Sequence, residues 1–296
     1  MTALVVVGNG FDRAMGLPSG LDQFDHYVAR TDYVLHETIE RHLPLEGEWW
    51  NIEEMLQYFD AESAVEEAAE YLVGYGADDW SDDNHHVVQR EAERIAAAMS
   101  NDLRAALAGW VTTLDAHPIP STASMPLPLG TRYLNFNYTR TLQRAFRIPD
   151  ADVLHIHGQG HRGDPLVLGH ARPVTDPKPM AAYGGEDNDV RITEAAQILD
   201  ETLNRAAKRS GEIIEANGDW FRCLSSTATV RVMGHSLAEV DHPYFEEIAR
   251  HVRPDAVWNV SCHSADDRVR SAELRDALRI KPDRWHVFNL GHWIAR

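Results

Sequence analysis

Residues 3–7 form an uninterrupted apolar run that stops at Gly8-Asn9-Gly10, the pattern of a strand buried on both faces. Strand-like runs recur at residues 131–135, 153–156, 229–233, 256–261 and 285–289, and a short one at 166–168. Helical spacing fills the intervals. Leu21, Phe24, Tyr27 and Val28 share one face, with Ser19 placed to cap it. From residue 49 to 114 the chain reads as wholly helical apart from a polar loop at 78–83. Ile52, Met55, Leu56 and Phe59 form one stripe, and Ile95, Met99, Leu103, Leu107 and Val111 another. A helical stretch is predicted from 192 to about 224, and shorter helices at 244–251 and 268–278, the former capped by Asp241 ahead of Pro243. Strands alternating with helices predict an α/β fold: a three-layer, Rossmann-like, mostly parallel sheet with a large helical insertion. The expected division is an α/β domain from 1–48 and 129–296, a helical insertion at 49–116 and a proline-rich connector at 117–128.

Composition narrows the functional classes. The chain has 296 residues, 28 basic against 46 acidic, for a formal net charge of −18. Such a surface repels phosphate backbones, so no stable nucleic-acid binding is expected, although Arg140, Arg144 and Arg147 share one side of a short helix. Two cysteines, Cys223 and Cys262, can build neither a zinc ribbon nor a disulfide framework, and are read as two buried free thiols. No segment is long and apolar enough to span a membrane, and the first strand lacks a signal peptide's basic flank. A cytoplasmic location without membrane association is the expectation.

Candidate chemistry gathers where strands end. Ligands of parallel sheets bind outside the carboxyl ends of the strands. Gly8-Asn9-Gly10, Asn135-Phe136-Asn137-Tyr138, His155-Ile156-His157-Gly158, Gly234-His235-Ser236 and Asn289 with Gly291-His292 all fall there. Glycines let a phosphate approach the backbone, but the third glycine of the dinucleotide fingerprint is Arg13 here. His155 and His157 alternate and so point to opposite faces, which disfavours a shared metal; no metal is expected. A neutral His157 can act as a general base and Asn137 can orient a ribose hydroxyl or a water. Gly234-His235-Ser236-Leu237-Ala238 approaches a nucleophile elbow but ends in alanine.

Taken in order, Gly8-Asn9-Gly10-Phe11-Asp12, Gly16-Leu17-Pro18, Asn135-Phe136-Asn137-Tyr138-Thr139, His155-Ile156-His157-Gly158, Gly169-His170 and Gly234-His235-Ser236 with Asp241 resemble the AbiH family of bacterial anti-phage proteins. The same order is similar to that of the sirtuin-like NAD-binding fold. That likeness implies NAD as ligand or substrate. It assigns Asn137 and His157 to catalysis, and Gly8, Gly10, Asp12 and Ser236 to the cofactor; Asn9, Gly234 and Asn289, at the same strand ends, complete the expected cofactor-binding set. Sirtuin deacylases carry a four-cysteine zinc module that two cysteines cannot build, so bare NAD cleavage fits better than peptide deacylation. The resemblance implies an abortive-infection effector that binds and hydrolyses NAD. A non-catalytic nucleotide sensor and a metal-dependent nuclease using His155, His157, His161 and His170 stand as alternatives. A nucleotide ligand, a phage-derived trigger and a second copy of the chain are the candidate partners.

Overall fold

The computed structural model describes residues 2–45, 49–74, 76–78, 81–119, 131–171 and 189–291. The first apolar run forms β1 (Thr2–Val7), whose residues 4–7 are all at most 1% exposed. Successive side chains of a strand face opposite ways, so such a run requires cover on both faces of the sheet. Five more strands follow among the described residues: β2 (Arg132–Asn135), β3 (Val153–His155), β4 (Thr227–Met233), β5 (Val257–Ser261) and β6 (Trp285–Phe288). They form one all-parallel sheet in the order β3-β2-β1-β4-β5-β6. The chain builds outward from β1 to β3, returns to the centre, and builds outward the other way from β4. The order therefore reverses between β1 and β4, the place where open parallel sheets leave a crevice at their carboxyl ends.

The edge strands are less enclosed than β1, as their sequences reflect. All three residues of β3 are partly exposed, and β6 leaves Val287 44% exposed. On one face, Leu4, Val6, Leu134, Val230, Val232, Trp258 and Val260 pack with Tyr244, Phe245 and Ile248 of the helix His242–His251. Trp258 and Trp285, register partners on β5 and β6, stack with centroids 5.5 Å apart, and the Trp285 indole donates to Ser271. The helix Ala265–Ala277 starts with a capping box in which Ser264 and Asp267 satisfy each other's amides.

Two compact units divide the chain. One comprises residues 1–20, 108–167 and 209–296 and holds the sheet; the other comprises 21–107 and 168–208. The second unit takes in the helices Leu21–Thr31, Tyr33–His42 and Val190–Arg205, which the sequence alone placed with the sheet. Within it, Val190–Arg205 packs on Ala61–Ala69 and Val87–Ala97, and aspartates 32, 60 and 189 cap the helices they precede. The expected stripe Ile95, Met99, Leu103, Leu107 and Val111 is buried throughout. A strict four-residue repeat drifts by about 40° per step on an α-helix. The π-helical turn Ala98–Asp102 takes up part of that drift.

Several local expectations change. The described chain has no strand at 166–168. Leu166 and Leu168 are buried, and the Val167 amide donates to the His157 carbonyl, 2.9 Å, without forming a strand. The long helix expected from 192 to 224 breaks after Arg205 and resumes as Ser210–Ala216 and Gly218–Arg222. Ser19 does not cap the helix that begins at Leu21; its hydroxyl donates to Asn9 Oδ1 at 2.6 Å. Cys223 is exposed rather than buried, and both cysteines are free. Arg140 and Arg144 pair with Asp150 and Asp115, so they are spent within the fold. Residues 120–128 of the expected connector, and His292, lie outside the described residues. Among those described, no helix is long and apolar enough to cross a membrane.

Candidate functional site at the carboxyl rim of the sheet

The turn after β1 and the turn after β4 lie directly on one another. The Gly8 amide donates to the Met233 carbonyl (3.1 Å) and the Gly10 amide to the Gly234 carbonyl (2.7 Å). A methyl at Gly8 would lie 2.7 Å from His235 Cα, and one at Gly10 would lie 2.9 Å from the Gly234 oxygen. Gly234 itself has φ +63°, and a methyl there would fall on the Phe11 amide. The three glycines are therefore required by the close approach of two backbone turns. Both the Gly8 and the Gly10 amide are thus already donated to protein carbonyls. Asn9 and Ser236, on the two sides of this junction, are exposed.

The neighbouring turns are wired to the same junction. Asn137 Nδ2 donates to the Gly8 carbonyl (3.0 Å), linking the β2 turn to β1. Ser261 Oγ accepts the Gly234 amide (2.7 Å), linking β5 to β4. Asn135 shapes its own turn: Oδ1 accepts the Asn137 amide at 2.9 Å and Nδ2 donates to the Thr139 carbonyl at 3.3 Å. His155 braces the same turn, donating from Nδ1 to the Asn137 carbonyl (3.1 Å) and accepting at Nε2 from Gln143 (3.0 Å) and Gln159 (3.2 Å). Burial pushes its pKa down, against a smaller upward pull from the Asn137 carbonyl. His155 is thus a neutral structural ring.

Asp12 lies beneath the turns, 1% exposed, with Oδ2 accepting the Thr139 hydroxyl. Burial pushes its pKa from 3.8 to about 6, while Thr139, Thr141 and Asn137 pull it back.

The densest chemistry surrounds Asp241. His235 Nε2 is 3.4 Å from Asp241 Oδ2 and His157 Nε2 is 3.8 Å from Oδ1. His235 Nδ1 accepts the Leu237 amide (2.9 Å), so the neutral ring carries its proton on Nε2, facing the carboxylate. Phe136 presses edge-on against both imidazoles, with centroids 5.0 Å from His157 and 4.4 Å from His235, and Tyr244 flanks His157 at 5.6 Å. Asp241, His157 and His235 are each at most 7% exposed. One buried carboxylate thus stands between the Nε2 atoms of two buried imidazoles.

The structure brings most of the expected residues together: Gly8, Asn137, His157, Gly234 and Ser236 belong to the turns after β1, β2, β3 and β4, and Asn9, Gly10 and Asp12 to the short helix Asn9–Ala14 that follows β1. Asn289 stands apart. It follows β6, three strand positions from β1, or about 14 Å at usual strand spacing, and its Oδ1 accepts the Gly291 amide. The sequence missed His235 and assigned Asp241 to capping. Asp241 does occupy the N-cap position, but its side chain makes no cap bond. A signal was present: Pro243, in the first turn, removes one of the amides an N-cap carboxylate would accept. The alternative metal set does not form either, since His155 is engaged as above and His170 Nε2 donates to the Leu203 carbonyl at 2.9 Å.

An all-parallel sheet reversing at its centre, with polar turns gathered at one rim, places the molecule among Rossmann-like α/β proteins. Its sequence matches the model of the family described as bacteriophage abortive infection AbiH over residues 4–262, and the chain belongs to that family. The matched span runs from β1 through the end of β5 and contains the whole Asp241 cluster. No curated protein and no solved structure matches the chain.

Proposed function

We propose that this protein acts in abortive infection by binding NAD at the carboxyl rim of its sheet and hydrolysing the bond between nicotinamide and ribose. The observation that carries this reading is the buried His157–Asp241–His235 cluster standing beside the β1/β4 reversal. With the Gly8 and Gly10 amides engaged, the diphosphate is assigned to the exposed Asn9 and Ser236. Asn137 holds the ribose or the attacking water. Water adds to the anomeric carbon, nicotinamide leaves as a neutral base with the bonding electron pair, and His157 takes the proton from the water. Asp241 stabilises the imidazolium that results, and His235 fixes the carboxylate. The products are ADP-ribose and nicotinamide. Loss of NAD from the cytoplasm of an infected cell would end phage replication with the cell.

Asn137→Ala and His157→Ala are each expected to lower nicotinamide release by about a hundred- to ten-thousand-fold. Asp241→Asn, which keeps the shape, should lower kcat and leave KM close to the parent value. Chromatographic assay of the purified variants, beside circular dichroism to verify folding, checks all three. Full turnover in both alanine variants overturns the assignment. Their burial, 7% for Asn137 and 4% for His157, favours a second reading in which the site senses NAD without cutting it. Saturable NAD binding with no nicotinamide released would establish that one.

A further inference from the structure

We infer that the helical unit carries a divalent transition-metal site built from Asp25, His36 and Glu40. Asp25 lies on the helix Leu21–Thr31, and His36 and Glu40 lie one turn apart on Tyr33–His42, so they share the helix face that meets Asp25. Each offers one ligand atom, and the three atoms lie within 4.8 Å of one another. An imidazole nitrogen with two carboxylate oxygens is a donor set suited to zinc or manganese, and the nitrogen disfavours magnesium and calcium.

Two further observations point to a cation. The first is charge. All three side chains are partly buried, and among the described residues no lysine or arginine pairs with either carboxylate. His36 Nε2 lies 2.6 Å from Asp25 Oδ1. A divalent ion neutralises both carboxylates. The second is the support behind the ligands. Trp49 is fully buried, its indole N–H donates to Glu40 Oε1, and its ring stacks on His36 with centroids 5.2 Å apart and 10° between planes. Phe24 holds Trp49 edge-on at 5.6 Å. A hydrogen bond to a ligating carboxylate and a ring that fixes the imidazole are the outer contacts by which metal sites orient their ligands.

Zinc at ligand distances of about 2.1 Å needs its ligand atoms about 3.4 Å apart in a tetrahedron. The Asp25–His36 contact therefore opens by less than 1 Å, and the metal replaces the proton between them. Three protein ligands leave a fourth position for water.

The test is calorimetric titration of the full, chelator-treated chain with zinc chloride, with cobalt absorption as a second readout. The expected result is one tight site per chain and a visible cobalt d–d band. Asp25→Asn and His36→Ala should each weaken binding by about a hundredfold, and Trp49→Phe by about tenfold. Absence of binding, or binding and a cobalt band unchanged in folded Asp25→Asn and His36→Ala, overturns the inference. Because the titration reads metal binding and not NAD turnover, its outcome is separate from that of the NAD reading.

Discussion

Gly234→Ala is expected to be the most damaging single methyl in the molecule. At φ +63° an alanine costs about 1–2 kcal/mol in backbone strain alone. Its Cβ would also fall on the Phe11 amide and crowd the Gly10 carbonyl carbon, both of them backbone and unable to rotate away. The β1 and β4 turns must then separate, breaking the Gly10–Gly234 and Gly8–Met233 hydrogen bonds that tie the two central strands at their ends. A total of about 4 kcal/mol or more is the expected cost. Thermal unfolding followed by circular dichroism should show a loss of about 10 °C or a failure to accumulate folded protein. Gly163 has a similar φ of +69° but open space around it, so Gly163→Ala serves as the control and should cost only the backbone strain. Equal losses in both variants would mean that the junction of the two turns does not set the requirement.

The second large effect concerns Asp12 and pH. Its pKa stands at about 6 in the fold against 3.8 for the free side chain, so the folded protein holds this proton more tightly than the unfolded chain. The stability this proton contributes is complete below pH 3.8 and is lost as pH rises through about 6. Relative to strongly acidic solution, the stability lost is about 3 kcal/mol at pH 7.5 and about 1 kcal/mol at pH 4.5. Asp12→Asn cannot ionise, yet still accepts the Thr139 hydroxyl. The stability gap between variant and parent should therefore move in the variant's favour by about 2 kcal/mol from pH 4.5 to pH 7.5. Urea unfolding at the two pH values measures it, and a gap that does not change with pH refutes the buried-acid account.

Much of this architecture is legible because it is local. The run at residues 3–7 is apolar at every position, and β1 is covered on both faces. Polar clusters follow strands, and in a parallel sheet all strand ends share one rim. What the sequence could not carry is non-local. Alternation of strands and helices does not specify the order β3-β2-β1-β4-β5-β6, so Asn289 read as a neighbour of Asn9 although two strands intervene between β1 and β6. The helices at 21–42 and 190–205 carry ordinary apolar stripes, and nothing in a stripe says which partner buries it. The glycine turns stand where the sequence predicts them, but their packing on one another is not legible there, because a glycine that admits a phosphate and one that admits another backbone look the same in sequence. Asp241 ahead of a proline resembled a cap, and only the fold turns its carboxylate toward His157 and His235.

The most direct test of the central claim is to incubate the purified wild-type chain with NAD and follow nicotinamide and ADP-ribose by chromatography. The account predicts that both products accumulate in equal amounts and exceed the protein in moles. NAD left uncleaved by a chain verified as folded would contradict it.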